Sequence, residues 1–124
     1  MWVEYNANPE KKRTTDCVIR ALSTILGQTW EETYTDLYYQ GLIMREMPSA
    51  NSVWNAYLRS KGFVREVIPN TCPDCYTVED FCNDHPEGDF ILALDGHVVA
   101  VKNGDAYDTW DSSQETPLYY WRKE

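Results

Sequence analysis

The chain has 124 residues and a net charge of −9 at pH 7. Hydrophobic residues make up 43% of it and aromatic residues 14%, which excludes a disordered chain and supports one domain over residues 1–124. The acidic balance argues against a nucleic-acid partner, and the apolar runs are too short for a membrane span. The first residues lack the pattern of a secretory signal, so we expect a cytoplasmic protein.

Helical patterns fill the first half of the chain. The first helix is predicted to begin after Thr15 or Asp16 and to end at Gly27. Its apolar residues recur at helical spacing, at Val18, Ala21, Leu22, Ile25 and Leu26. A capping box at 29–32 opens a second helix, which we expect Gly41 to stop. Its predicted apolar face consists of Trp30, Tyr34, Leu37 and Tyr38.

Two further helices are predicted. One opens at Ser49 or Asn51 and ends at Gly62. Its apolar residues are Val53, Trp54, Tyr57 and Leu58. The other is short, because it begins at Thr77 and the His85-Pro86 pair must end it.

Strand patterns dominate the second half. The predicted strands are 63–68, 90–94, 97–102, 105–110 and 118–121. Asp95-Gly96 and Asn103-Gly104 separate three of these runs, and both pairs are typical of two-residue type I′ hairpin turns. Helices followed by an antiparallel meander indicate an α+β fold, with the N-terminal helices packed on the C-terminal sheet.

The two hairpin turns fix the register of the meander. The first turn pairs Leu94 with His97, and the second pairs Val99 with Asp108. Because paired side chains share a face, His97 and Asp108 are predicted to be diagonal neighbours on one side of the sheet. The same register places Trp110 opposite His97.

These positions suggest a nucleophilic site. Cys17 lies in the first turn of the first helix, where unpaired backbone N–H groups and the helix dipole favour a thiolate. His97 can serve as its base, and Asp108 can orient the imidazole. The predicted chemistry is acyl transfer through a thioester, with backbone N–H groups of the helix start in the oxyanion hole.

Three segments carry a resemblance to the papain-like cysteine peptidase superfamily: Asp16-Cys17-Val18-Ile19-Arg20-Ala21-Leu22-Ser23, Gly96-His97-Val98-Val99-Ala100-Val101 and Tyr107-Asp108. The element order is similar over nearly the whole chain, and the length resembles minimal members such as the bacteriocin-processing and NlpC-type groups. Residues 95–113 also resemble small uncharacterised phage and bacterial proteins of this superfamily. The first segment is locally similar to the helix start of OTU deubiquitinases.

The resemblance implies a minimal papain-like, cathepsin-type fold in which the Cys17 helix packs against the sheet that carries His97 and Asp108. It implies a peptidase or amidase that acts on a peptide or protein without a cofactor or a metal. Members of the superfamily usually carry an oxyanion glutamine a few residues before the cysteine, but position 11 here is Lys11. Asn6 and Asn8 are the remaining amides that can fill this role.

A second cluster of residues offers a metal site instead. Cys72, Cys75, Cys82 and His85 have the spacing C-x2-C-x6-C-x2-H, which suits tetrahedral zinc. A Cys72–Cys75 disulfide is the alternative in an oxidising compartment, although the cytoplasmic expectation favours reduced thiols. His85 is also the only other candidate base, but it lacks a strand scaffold.

Three other hypotheses remain open from the sequence. The fold can be a non-catalytic interaction module, since many aromatic residues are available for a surface patch: Trp30, Tyr34, Tyr38, Tyr39, Trp54 and Trp121. It can be a zinc-stabilised binding protein. Finally, the same Cys17, His97 and Asp108 can perform transglutaminase or deamidase chemistry, which uses the same acyl-enzyme.

Overall fold

The computed structural model describes all of residues 1–124. Its helices are α1 Cys17–Leu26, α2 Trp30–Met44, α3 Asn51–Ser60 and α4 Val78–Asp84. Its strands are β1 Trp2–Glu4, β2 Phe63–Val67, β3 Asp89–Leu94, β4 His97–Lys102, β5 Asp105–Asp108 and β6 Pro117–Lys123. They form one sheet in the order β1-β5-β4-β3-β6-β2. The predicted α+β class is therefore confirmed, and no helix is long and apolar enough to cross a membrane.

Three of the helices start at predicted caps, whereas α3 has Ala50 as its N-cap and not Ser49 or Asn51. Asp16 is the N-cap of α1, and Gly27 ends that helix in the left-handed conformation with φ of 65°. Thr29 and Glu32 form the predicted capping box of α2, in which each side chain accepts a hydrogen bond from the other residue's backbone N–H. Thr77 caps α4 in the same way. Side-chain capping thus sets the starts of α2 and α4, whereas α1 and α3 start without a capping hydrogen bond.

Gly41 does not stop α2, and this prediction is wrong. The helix continues to Met44, and Arg45 takes the left-handed conformation instead. A Cβ on Gly41 would lie 2.7 Å from the backbone oxygen of Glu46, so this glycine permits the chain after the helix to fold back against it. Close backbone approach, rather than helix termination, explains the glycine.

The predicted apolar face of α2 is also shifted. The buried residues are Thr33, Leu37 and Gly41. Tyr34 and Tyr38 are instead 50% and 53% exposed. The side of α2 that carries these tyrosines therefore faces solvent.

The predicted register of the meander is confirmed. Leu94 pairs with His97 across the first hairpin, and Ala100 pairs with Tyr107 across the second, so continuing that register sets Val99 opposite Asp108. β5 ends at Asp108, two residues earlier than predicted. After Asp108 the chain leaves the sheet in a bend at 109–110.

The two hairpin turns differ in type. Asn103 and Gly104 both have a positive φ, of 50° and 80°, as a type I′ turn requires. In the first turn only Gly96 has a positive φ, of 70°, so the type I′ prediction is wrong there. The pairing is the same, because both turns have two residues.

β1 is an additional strand that the sequence pattern did not predict. It runs parallel to β5, and the pairing continues with a hydrogen bond of 2.9 Å from the Tyr5 N–H to the backbone oxygen of Asp108. The Trp2 indole donates to the same oxygen at 3.2 Å. This strand anchors the segment before α1 beside the end of β5.

The sheet has a hydrophobic cluster on each face. The cluster shared with α1, α2 and α3 includes Leu22, Leu37, Trp54, Leu58, Ala100 and Trp121. The cluster shared with α4 includes Val78, Phe81, Cys82, Leu92, Val99 and Val101. The three N-terminal helices thus cover one face, as predicted, and α4 covers part of the other.

Candidate active site

The three predicted catalytic residues each stand at the end of an element. Cys17 is the first residue of α1, His97 the first of β4 and Asp108 the last of β5. Strand alternation assigns His97 and Asp108 to the α4 face with Val99, whereas α1 packs on the opposite face with Ala100. The residues meet because all three lie at the rim of the sheet.

Asp108 holds His97 in a well-defined orientation. The Oδ2 atom of Asp108 lies 2.6 Å from Nε2 of His97 and accepts a second hydrogen bond, of 2.7 Å, from the Ser112 hydroxyl. Its Oδ1 atom accepts the Thr109 N–H at 2.8 Å. Asp108 is 4% exposed, so this carboxylate is fixed by buried partners.

The pKa of His97 reflects these contacts. Burial by itself lowers the pKa of His97, but hydrogen bonds to Asp108 and Cys17, together with their negative charges, raise it from 6.5 to about 9. Because Nε2 is engaged by Asp108, Nδ1 is the ring nitrogen left for Cys17. The imidazole is therefore protonated near neutral pH.

Cys17 is partly buried, and the pKa of its thiol is lowered, whereas that of His97 is raised. Burial raises the pKa of the Cys17 thiol, but the hydrogen bond and charge of His97, a backbone hydrogen bond from Val98 and the charge of Arg20 outweigh it. The pKa of Cys17 is thus lowered from 9.0. Together with the raised pKa of His97, this favours a thiolate–imidazolium pair.

The N-cap residue leaves the start of α1 open. The Asp16 side chain makes no capping hydrogen bond, and instead accepts the Trp30 indole N–H at 3.0 Å. The first helical bond runs from the Arg20 N–H to the Asp16 oxygen at 2.9 Å. The earlier N–H groups of the helix, beginning with that of Cys17, have no partner and can receive a developing oxyanion.

Arg20 connects this helix start to the Asp108 carboxylate. Its Nε lies 2.9 Å from Asp16 Oδ1, and its Nη1 donates to the Thr109 hydroxyl at 2.9 Å and lies 3.8 Å from Asp108 Oδ1. Arg20 was not predicted from the sequence as a site residue. Its position four residues after Asp16 on a helix is a spacing that favours ion pairs and could have indicated this contact.

Trp110 covers the imidazole. Its ring centroid lies 5.0 Å from that of His97, at an interplanar angle of 38°. The predicted register placed these two residues opposite each other, and they remain neighbours although β5 has already ended. The indole shields one side of the His97 ring from water.

Asn6 and Asn8, the candidate oxyanion amides, lie in the loop before α1. The Asn6 amide nitrogen donates to the Lys12 oxygen at 3.4 Å, and that of Asn8 donates to Asp16 Oδ2 at 3.3 Å. Each side-chain oxygen also accepts a backbone N–H two residues later, as in turn-forming asparagines. Asn8 thus contacts Asp16, the residue before the first residue of α1, and its oxyanion role stays a prediction.

The second cysteine cluster does not converge on a metal site. Cys72 and Cys75 form a disulfide, so the prediction of reduced thiols is wrong for this pair. Cys82 is buried, and burial raises the pKa of its thiol. His85 is turned to the Phe81 backbone oxygen, 2.9 Å from its Nδ1. No group of three or more His, Cys, Asp or Glu side chains is placed to hold a metal ion.

Comparison with protein families, with characterised proteins and with solved structures finds no match to this chain. The architecture by itself places the chain in the α+β class. The functional argument therefore rests on the side-chain geometry around Cys17, His97 and Asp108.

Proposed function

We propose that the protein is a cysteine hydrolase, a peptidase or amidase, on a minimal papain-like fold. The observation that carries the proposal is the 2.6 Å contact between Nε2 of His97 and Oδ2 of Asp108. The interaction of this imidazole with Cys17 lowers the pKa of the thiol and raises the pKa of the ring. Covalent acyl transfer requires a nucleophile, a base that exchanges protons with it and a carboxylate that orients the base. Cys17, His97 and Asp108 are residues of these three types.

Acylation begins with the thiolate of Cys17. Its sulfur attacks the carbonyl carbon of an amide, and the oxygen that becomes negative is received by the unpaired N–H groups at the start of α1. The His97 imidazolium then gives its Nδ1 proton to the leaving nitrogen as the C–N bond breaks. The products of this step are a free amine, a neutral imidazole and a thioester on Cys17.

Deacylation uses the same groups in reverse. Neutral His97 takes a proton from water while the water oxygen attacks the thioester carbon. The C–S bond breaks, the carboxylic acid leaves, and the thiolate–imidazolium pair is restored. If an amine replaces water, the same steps give transglutaminase chemistry, so the acceptor decides between hydrolase and transferase.

We propose the cytoplasm as the compartment because the nucleophile must stay reduced, but the Cys72–Cys75 disulfide is typical of an oxidising compartment and speaks against it. Cys17 and Cys82 are the free thiols of the chain, and only Cys17 is accessible. A covalent probe therefore reports on Cys17 with little interference.

The test is the rate at which iodoacetamide alkylates Cys17 near neutral pH, with the modified residue located by mass spectrometry. We expect wild-type Cys17 to react about tenfold or more faster than glutathione, because more of it is thiolate. His97→Ala should abolish this advantage, whereas His85→Ala, the matched histidine control, should keep it. Equal rates for Cys17 and glutathione, or no effect of His97→Ala, would contradict the proposal and favour a non-catalytic interaction module.

A further inference from the structure

A hollow adjoins the start of α1. It has a volume of about 630 Å³ and lies between the segment before α1 and the first turns of α2. Its charged and aromatic lining consists of Glu10, Lys12, Asp16, Trp30, Glu31 and Tyr34. Asp16, which lines the hollow, directly precedes Cys17, whereas Cys17 itself is not part of the lining.

The hollow continues along α2 as a groove. A second hollow of about 210 Å³ shares Asp16, Ile19 and Tyr34 with the first. A third, of about 350 Å³, shares Pro48 with the second and extends to Met47. We call this series of three hollows the α2 groove.

The inner end of the α2 groove carries a net negative charge. Asp16 is paired with Arg20 at 2.9 Å, whereas the exposed Glu10, Glu31 and Lys12 make no ion pair, which leaves two carboxylates against one ammonium group. Trp30 and Tyr34 stack beside them, with centroids 5.3 Å apart. Carboxylates next to aromatic faces suit a Lys or Arg side chain, by charge attraction and by cation–π contact.

The outer end of the α2 groove is apolar. Tyr38, Leu42 and Met47 line it and are 53%, 50% and 67% exposed. A contiguous exposed apolar surface of this kind marks an interaction site. It favours a polypeptide with apolar residues over a small amide.

The length of the α2 groove agrees with this. Trp30 and Leu42 stand twelve residues apart on one helix, which corresponds to about 18 Å. An extended chain covers this distance with about five or six residues. A ligand that fills the groove is therefore a peptide segment of this length or longer.

We propose that the α2 groove binds the substrate of the Cys17 site, an extended polypeptide segment. The segment places a Lys or Arg side chain in the inner hollow, against Glu10, Glu31 and the Trp30–Tyr34 pair, and apolar side chains along Tyr38 and Leu42. The assignment of this segment as substrate rests on the proposed function, whereas its binding does not require hydrolysis.

The test measures binding to Cys17→Ser, which cannot form the thioester. The probes are fluorescein-labelled octapeptides of alanine and leucine in which Lys or Glu is scanned through each position, read by fluorescence anisotropy. We expect Lys to bind about tenfold or more tightly than Glu at one position at least. Neutralising the inner end with Glu10→Gln/Glu31→Gln should reduce this ratio to about twofold or less. The control Glu87→Gln/Glu124→Gln changes charge equally outside the groove and should keep the full ratio.

The outer end is tested by peptide length. The best octapeptide should bind more tightly than a tetrapeptide with the same Lys, and Leu42→Ala/Met47→Ala should remove the difference. Equal binding of Lys and Glu peptides, or a ratio unchanged by the groove substitutions, overturns the inference even if Cys17 alkylates rapidly. Lys-selective binding in a protein whose Cys17 is unreactive keeps the groove and overturns the enzyme.

Discussion

Nε2 of His97 lies 2.6 Å from Oδ2 of Asp108, and this contact determines which ring nitrogen can serve Cys17. With Nε2 engaged, only Nδ1 is free to exchange a proton with the sulfur or with a leaving group. The carboxylate therefore selects the tautomer as well as stabilising the imidazolium.

Asp108→Asn should impair hydrolysis and change its pH dependence. The wild-type profile of kcat/KM should rise as Cys17, whose pKa is lowered from 9.0, loses its proton. It should fall as His97 loses its proton, near the pKa of about 9. Because Asp108 is the largest contributor that raises the pKa of His97, the falling limb should move to lower pH in the variant, with a loss of about 10³-fold or more in kcat/KM.

The measurement is the pH profile of peptide hydrolysis. Asp111→Asn is the matched control, because Asp111 is exposed and bonds Ser113 rather than His97. A falling limb that stays in place in Asp108→Asn would show that His97 does not titrate through this contact.

Cys17→Ser should change how stability depends on pH. In the folded wild type, His97 holds a proton between pH 6.5 and about 9 that the unfolded chain lacks, so this group alone makes stability fall as pH rises. Cys17 lacks a proton that the unfolded chain holds below 9.0, so it makes stability rise with pH. The two slopes oppose each other in the wild type.

In Cys17→Ser only His97 contributes to this pH dependence of stability, because Asp108 still raises the pKa of the ring. We expect the melting temperature of the variant, relative to the wild type, to decrease as pH rises from neutral toward 9. Differential scanning calorimetry at several pH values measures this difference. A constant difference across this range would mean that no proton is shared between Cys17 and His97.

Several features of the site were predictable because short sequence signals determine them. The two-residue hairpins fix the pairing of β3, β4 and β5, and this pairing brings His97 next to Asp108. The start of α1 follows from the cap at Asp16 and the apolar spacing after it. Local rules therefore located Cys17, His97 and Asp108.

Other features depend on contacts between distant segments. β1 has only three residues, and its partner β5 lies about a hundred residues later, so no periodicity predicts it. Gly41 looks like a helix stop in isolation, yet its role is set by the backbone of Glu46. Asp95-Gly96 and Asn103-Gly104 both predicted a type I′ turn. Of the first residues of these pairs, Asn103 adopts a positive φ and Asp95 does not.

Arg20→Met should raise the pKa of the Cys17 thiol, because the charge of Arg20 is one of the causes that lower it. Alkylation near neutral pH should slow in consequence. The variant also leaves Asp16, which is 5% exposed, without its ionic partner, at a cost of about 3–5 kcal/mol. Thiolate absorbance in the ultraviolet gives the pKa, and chemical denaturation gives the stability.

Arg20→Lys separates the two effects, since it keeps a charge but cannot reach Asp16 and Thr109 together. We expect a smaller change in the thiol pKa than in Arg20→Met. Arg13→Met, at an exposed position before the helix, is the control for charge alone. A thiol pKa that is identical in the wild type and Arg20→Met would remove Arg20 from the site.

Gly41→Ala should destabilise the fold although alanine favours helices. The added Cβ would lie 2.7 Å from the Glu46 oxygen, so the segment after α2 must move, at a cost of about 1–3 kcal/mol. Gln40→Ala, at the neighbouring helical position, should change stability by less than about 0.5 kcal/mol. Urea denaturation compares the two variants, and equal stability would refute the close approach at Gly41.

The position of β6 has a consequence for how the chain assembles. β6 is the last element in the chain, yet it lies between β3 and β2, and β2 has no other partner in the sheet. During synthesis residues 63–67 are made well before residues 117–123. The β2 strand can therefore join the sheet only after β6 has been added, whereas β3, β4 and β5 can pair as consecutive hairpins before that.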